Sequence, residues 1–258
     1  AVRIAPLTER FFHEAGIASG QRVLDLGSGL GDVAMLAARI VGPSGEVVGL
    51  ERDSRSIARA KARAAGAGLR NVSFIESDVG NIPEGKPFDA AVGRFILEFV
   101  SDPVAVVRNV SDAVCPGGAI AFQEVSWAHF LLACAGLPLW SASAAVAREI
   151  LTRTGAHVEI GVALHRIFQE AGLPEPVMNL EIPLGSHPND VGFIYEFLRS
   201  LRPQSQKHGV SFEDLGDFDS LSVRLQSEVR ASKTFVPVIA ALVSAWCRKP
   251  ASDREDNA

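Results

Sequence analysis

Val23-Leu24-Asp25-Leu26-Gly27-Ser28-Gly29-Leu30-Gly31-Asp32 is the stretch whose reading decides the fold. It reads as a buried strand ending in a glycine-rich turn that opens a helix. Glycine has no Cβ and tolerates positive φ, so such a turn lets the backbone come close to a ligand. The spacing is G-x-G-x-G. The dinucleotide fingerprint G-x-G-x-x-G would have its third glycine where Asp32 stands.

Outward from this turn, short β-branched runs alternate with alanine-rich windows of helical spacing. Strands are expected over 23–26, 47–50, 71–75, 88–92 and 119–123, and helices over 32–41, 54–65 and 103–114. Ser54 is the expected N-cap of the second helix, and Ser101 or Asp102 that of the third, with Pro103 in its first turn. Pro116-Gly117-Gly118 ends that helix. Strands joined by crossover helices predict an α/β, doubly wound, Rossmann-like parallel sheet. After Val125 the rhythm breaks: helices are expected over 137–154, 162–171 and much of 189–233, with strands over 177–183 and 242–248. The economical organisation is a single domain carrying a cap. It comprises an N-terminal gate helix (1–20), a cofactor-binding core (21–125), a helical cap (126–175 and 189–233) and terminal strands (176–183 and 242–248).

The chain has 258 residues, 47% of them apolar and 21% charged, enough to bury a full core. Lys and Arg number 25 against 30 Asp and Glu. With no basic excess to neutralise phosphates, no nucleic-acid partner is expected. The three cysteines, Cys115, Cys134 and Cys247, form no disulfide framework and no metal spacing, which points to a reducing compartment without a metal. The first residues carry no secretory leader, and the apolar run 235–246 is too short to span a bilayer and contains Pro237. The expectation is a cytoplasmic protein with no membrane span. Its oligomeric state is left open, a homodimer being one option.

In an open parallel sheet, ligands bind beyond the carboxyl ends of the strands. Glu51, after the second strand, can accept both hydroxyls of a ribose and would repel a 2′-phosphate. After the third strand, Asp78 can accept from an exocyclic adenine amine while the Val79 amide donates to a ring nitrogen. After the fourth comes Gly93-Arg94-Phe95-Ile96-Leu97-Glu98, whose main-chain carbonyls could hold a cationic amine, as could Asp25.

The segments VLDLGSGLGD, VVGLERD, FIESDVGNIP, FDAAVGRFILEFVSDP and CPGGAIAFQEV, in this order and spacing, resemble the class I S-adenosylmethionine-dependent methyltransferases, in the subgroup of bacterial small-molecule and quinone-type enzymes. The resemblance is strong over roughly residues 7–125 and weak beyond. It implies a seven-stranded sheet whose last strand is antiparallel, S-adenosylmethionine as cofactor and S-adenosylhomocysteine as product. By the same resemblance Asp25, Gly27, Ser28, Gly29 and Gly31 border the methionine moiety. Glu51, with Arg52 beside it, holds the ribose; Asp78 and Val79 hold adenine; Arg94 and Phe95 flank the sulfonium and amino-acid end. The N-P-P-Y-type loop of nucleic-acid amino-methyltransferases is replaced by GRFI, and the paired-glutamate loop of arginine methyltransferases is not evident. A small organic acceptor is therefore expected.

An acceptor with a proton to lose needs a general base, and Glu124 and His129, after the fifth strand, are the candidates. Trp127 between them is a possible aromatic wall, Tyr195 lies in the expected cap, and Phe12 lies in the N-terminal helix over the cofactor. The apolar residues of the cap predict a hydrophobic or aromatic acceptor. Two alternatives stand beside this reading: an NAD-dependent oxidoreductase, which uses a similar glycine turn and carboxylate, and a cofactor-binding protein without methyl-transfer activity.

Overall fold

The computed structural model describes residues 4–251, so the first three residues of the expected gate segment lie outside the described residues. Seven strands form one sheet in the order β3-β2-β1-β4-β5-β9-β6. β1 (Arg22–Leu26) lies between β2 (Glu46–Glu51) and β4 (Phe88–Arg94), parallel to both. β3 (Val72–Glu76) adds a parallel strand beyond β2, and β5 (Val114–Ser126) one beyond β4. β9 (Ala241–Arg248) runs antiparallel to β5: the Gly117 amide donates to the Lys249 carbonyl and the Lys249 amide to the Gly118 carbonyl, both at 2.9 Å. β6 (Val177–Glu181) is the edge strand beside β9. Strands covered on both faces need near-continuous apolar runs. Val23, Leu24, Leu26, Val47, Leu50, Ala90 and Val92 are accordingly sealed from solvent.

The chain divides into two compact units. The first holds the residues up to Glu124, then 163–179 and the residues from Ser244; the second holds 125–162 and 180–243. In the first, α1 (Ala5–Glu14) and α2 (Asp32–Val41) bury Phe11, Phe12, Ala34, Ala38 and Val41 in one core with Val23, Val47 and Ala90. α3 (Ser54–Gly66) is capped one residue earlier than expected: the Asp53 carboxylate accepts from the Arg55 and Ser56 amides, so Ser54 is the first helical residue. At α4 (Pro103–Ala113) the cap is Asp102, whose Oδ1 accepts from the Ala105 amide at 2.9 Å. β5 starts at Val114, ahead of the expected 119, because Val114 already pairs with Phe88; the Pro116-Gly117-Gly118 stretch, with Gly117 at φ +80°, then bulges out of the ladder before Ala119 pairs with Ala90. The pairing of β5 to β4 shifts register between Phe88 and Ala90. α7 (Ile160–Glu170) belongs mainly to this first unit, although its sequence position had placed it with the cap.

The second unit is built on α5 (Trp127–Ala133), α6 (Pro138–Arg153), α8 (Pro188–Val191), α9 (Phe193–His208) and α10 (Leu221–Ser232), with a short antiparallel pair, β7 (Leu184–Gly185) and β8 (Val236–Pro237). The first amides of α6 have no partner within their own helix. The Glu228 carboxylate on α10 takes two of them, from Leu139 at 2.8 Å and Trp140 at 3.0 Å. An aromatic cluster of Trp127, Phe130, Trp140, Phe193 and Phe197, with ring centroids 5.4–6.3 Å apart, fills the interior.

Candidate active site

The glycine turn forms as its spacing predicts, with Gly27, Gly29 and Gly31 at φ +64°, +52° and +81°. These left-handed values cost an L side chain free energy. At Gly31 space is short as well: a Cβ would lie 2.9 Å from the Phe74 ring and 3.2 Å from Ala60. At Gly29 a Cβ would meet nothing nearer than the Gly27 carbonyl at 4.0 Å, so this glycine faces open space. The Ser28 amide donates to the Leu50 carbonyl at 2.8 Å, pinning the turn to the end of β2.

Glu51 completes that junction. Its Oε2 accepts from the Gly29 amide, and its Oε1 from the Arg52 and Asp53 amides, each at 2.9 Å. A carboxylate offers about four acceptor positions. The residue expected to accept two ribose hydroxyls thus already holds three amides and keeps one position on Oε2. The Ser77 amide donates to the Glu51 carbonyl at 3.0 Å, which seats the turn after β3. There Asp78 Oδ1 accepts from the Gly80 amide at 2.9 Å, Asp78 remains exposed, and Val79 is buried.

A cavity of about 630 Å³ opens at this edge of the sheet. Gly27, Glu51, Arg52, Asp78, Val79 and Phe95 line it together, all of them expected cofactor residues. Asp25, Ser28, Gly29, Gly31 and Arg94, also expected cofactor residues, are not part of that lining. Ile96, from the stretch expected to face the site after β4, lines it too, as do Phe99 and Asn109, which sequence reasoning missed. Phe99, 56% exposed, lies in the short turn Leu97–Phe99 after β4, and its place just beyond that strand's carboxyl end is the signal the sequence offers.

Asp25 is 1% exposed and its Oδ2 is buried without a hydrogen-bond partner. Burial pushes its carboxyl up to about 8, against the pull of the Arg94 guanidinium and the Ala34 amide. Arg94, at the end of β4, donates from Nη1 to the Thr8 hydroxyl at 3.0 Å and forms no ion pair among the described residues. Burial lowers its own pKa, and Asp25 opposes that shift. Phe95 follows at φ +57°, its amide bonded to the Gln123 carbonyl at 3.0 Å. The Ser28 hydroxyl is a second buried, unpartnered group. An unpaired guanidinium, two orphaned buried oxygens, an open glycine and the Glu51–Asp78 edge fit a ligand that brings a carboxylate, an ammonium and a nucleoside. S-adenosylmethionine carries all three.

Glu124, expected at the acceptor, is turned inward. It has no exposed surface, and its Oε1 accepts from the Ile96 and Leu97 amides, both at 3.0 Å, so it braces the turn after β4. Burial pushes Glu124 up to about 8 and the nearby Glu98 up to about 7. Phe12 likewise lies in the core, with Phe11 and the α2 side chains, because α1 packs its apolar stripe inward. In the second unit, the Trp127 ring is 2% exposed and packed by Phe130 and Phe197, so it is an interior residue and not a wall. Tyr195 stays half-buried with its ring 5.2 Å from that of Phe218. His129 Nδ1 lies 2.7 Å from the Ser126 hydroxyl, which donates to Glu159 Oε2 at 2.8 Å. The hydroxyl has one proton to give, so Nδ1 carries a proton and donates to the Ser126 oxygen, and Nε2 is not used in this pairing. Among the described residues no group of three or more side chains could hold a metal ion, and no helix is long and apolar enough to cross a membrane.

A family model described as "Methyltransferase domain" matches residues 17–172. The chain is 32% identical over 123 residues to the ubiquinone/menaquinone biosynthesis C-methyltransferase UbiE of Pseudomonas putida, covering 46% of this chain and 48% of that protein. It is 30% identical over 112 residues to an arsenite methyltransferase of Halobacterium salinarum, covering 43% of this chain and 29% of that protein. It thus spans about half the length, or less, of these curated relatives. In fold it is similar to the crystal structure of a putative sarcosine dimethylglycine methyltransferase from Galdieria sulphuraria, with a TM-score of 0.57 and 16% identity over 96% of this chain and 86% of that one. The family match covers the glycine turn and the five strands β1 to β5 that carry the cavity, more than half of the chain, so the chain belongs to the methyltransferase domain family, among the class I S-adenosylmethionine-dependent methyltransferases.

Proposed function

We propose that the chain catalyses methyl transfer from S-adenosylmethionine to a small, hydrophobic or aromatic organic acceptor. One observation carries this reading: a single cavity is lined at once by the glycine turn, by Glu51 and by the Asp78-Val79 turn. When bound, the cofactor would supply a methyl group already activated on a sulfonium, with the thioether S-adenosylhomocysteine as the leaving group. The protein's contribution is then mainly alignment and exclusion of water, worth up to roughly 7–11 kcal/mol in well-oriented systems.

In this assignment Glu51 holds the ribose through its remaining acceptor position, and Asp78 and the Val79 amide hold adenine. Arg94 takes the amino-acid carboxylate and Asp25 the ammonium. Gly29 leaves room for the backbone to approach. Glu124 and Phe95 shape the turn after β4 and do not touch the acceptor. His129 is the candidate base, because its hydrogen bond through Ser126 to Glu159 does not use Nε2, which in the neutral ring can accept a proton. That role suits an acceptor with an acidic O–H, N–H or C–H. Tyr195 is the candidate acceptor contact. UbiE of Pseudomonas putida is a C-methyltransferase of ubiquinone/menaquinone biosynthesis, so a quinone-type compound is one acceptor class this reading admits.

Incubation with methyl-labelled cofactor and a panel of phenolic, amine and carbon-acid acceptors tests the proposal. Label appearing in one class supports it. Tight binding of S-adenosylhomocysteine with no labelled product from any class would instead favour a protein that binds cofactor without transferring the methyl group.

A further inference from the structure

α1 enters the site through one buried hydroxyl. The inward face of this helix is apolar at Ile4, Phe11, Phe12 and Ala15, yet Thr8, on the same stripe, is polar and has no exposed surface. The β5 residue facing it, Gln123, is also polar and fully buried, between Phe122 and the equally buried Glu124, and Ser244 on β9 is buried as well. These three account for one another. The Thr8 hydroxyl donates to Gln123 Oε1 at 2.7 Å, and Gln123 Nε2 donates to the Ser244 hydroxyl at 3.0 Å. Arginine can only donate. Thr8 Oγ1 must therefore accept the Arg94 Nη1–H that reaches it at 3.0 Å, and its single proton has two acceptors in reach, Gln123 Oε1 at 2.7 Å and the Ile4 carbonyl one helical turn back at 3.2 Å, of which Gln123 is the nearer. The result is a directed hydrogen-bond chain through four elements of the first unit, Arg94 to Thr8 to Gln123 to Ser244. It fixes the rotamer of a half-buried guanidinium that forms no ion pair among the described residues.

We propose that Thr8 is a positioning residue for cofactor binding: it holds Arg94 in the orientation that receives the amino-acid carboxylate of the cofactor, and so couples the docking of α1 to occupancy of the site. The inference rests on the assignment of Arg94 to that carboxylate. By linkage the coupling is reciprocal, so a bound cofactor strengthens the seating of α1.

Two ligands separate the effects. S-adenosylhomocysteine carries the amino-acid end, and 5′-methylthioadenosine has the same nucleoside thioether without it. Calorimetric titration of the full chain is expected to show Thr8→Val binding S-adenosylhomocysteine about tenfold more weakly, the size of one hydrogen bond to a charged group. Its affinity for 5′-methylthioadenosine is expected to be unchanged. Thr8→Ser, which keeps the hydroxyl, should restore binding. Arg94→Met should lose affinity for S-adenosylhomocysteine alone, and adding Thr8→Val to it should cost nothing further. Thr8→Ala carries the same prediction if the valine variant does not fold. Equal weakening of both ligands by Thr8→Val and Thr8→Ala, or no weakening of either, overturns the proposal. If Arg94→Met leaves the preference between the ligands unaltered, the carboxylate assignment itself fails.

Discussion

Replacing Asp25 by Asn should stabilise the ligand-free protein while weakening its hold on the cofactor. The Asp25 carboxyl is 1% exposed, and burial raises its pKa from 3.8 to about 8. Below pH 4 both the folded and unfolded chains hold the proton, and this residue costs folding nothing. As pH rises from 4 towards 8 the unfolded chain releases the proton and the folded chain keeps it, so stability falls by up to about 1.4 kcal/mol per pH unit. At pH 7 the accumulated cost is about 4 kcal/mol, a large part of the net stability of a typical domain. Asparagine has the same shape, can still accept the Ala34 amide through its side-chain oxygen, and does not titrate. Urea denaturation of both proteins between pH 4 and 9 should show stabilities that coincide at acid pH and diverge to about 4 kcal/mol in favour of Asp25→Asn at pH 7. Titration with S-adenosylhomocysteine should show weaker binding to the variant, since the ammonium loses its counter-charge. A variant that is less stable than wild type at pH 7, or that keeps the wild-type pH slope, would refute the reasoning.

Other positions extend the test. Gly31→Ala combines positive φ with a contact to Phe74 at 2.9 Å and should cost about 1–3 kcal/mol of stability in thermal melts. Gly29→Ala carries the backbone cost but meets open space, so its main effect should be on cofactor affinity measured by calorimetry. Glu51→Ala removes the acceptor of three amides and should weaken S-adenosylhomocysteine and 5′-methylthioadenosine alike, by tenfold or more, because the loss falls on the nucleoside they share. Asp53→Ala deletes only the α3 cap; it should lower stability by about 1 kcal/mol and leave cofactor affinity intact.

The cofactor half of the site was legible in the sequence because its residues follow strands. Once the period of β1 to β4 is read, Glu51, Asp78 and Arg94 fall at carboxyl ends, where a parallel sheet places ligands. The glycines announce the left-handed turn directly. Less legible were residues whose role depends on a partner far away in the chain. Glu124 sits at a strand end like the others, yet its carboxylate is consumed by the Ile96 and Leu97 amides, a pairing that no local pattern encodes. Trp127 and Phe12 follow the same rule, because a large ring near a site is as readily core as wall. Thr8, Gln123 and Ser244 did leave a trace, each a polar residue on an otherwise apolar stripe, but only the packing of α1 on the sheet shows that the three belong together. The two-residue strands β7 and β8 are too short to display any period.

The most direct test of the central claim is calorimetric titration of the wild-type chain with S-adenosylhomocysteine and, separately, with NAD. Saturable one-to-one binding of S-adenosylhomocysteine, lost in Glu51→Ala and absent with NAD, is the predicted result. Binding of NAD without binding of S-adenosylhomocysteine would contradict it.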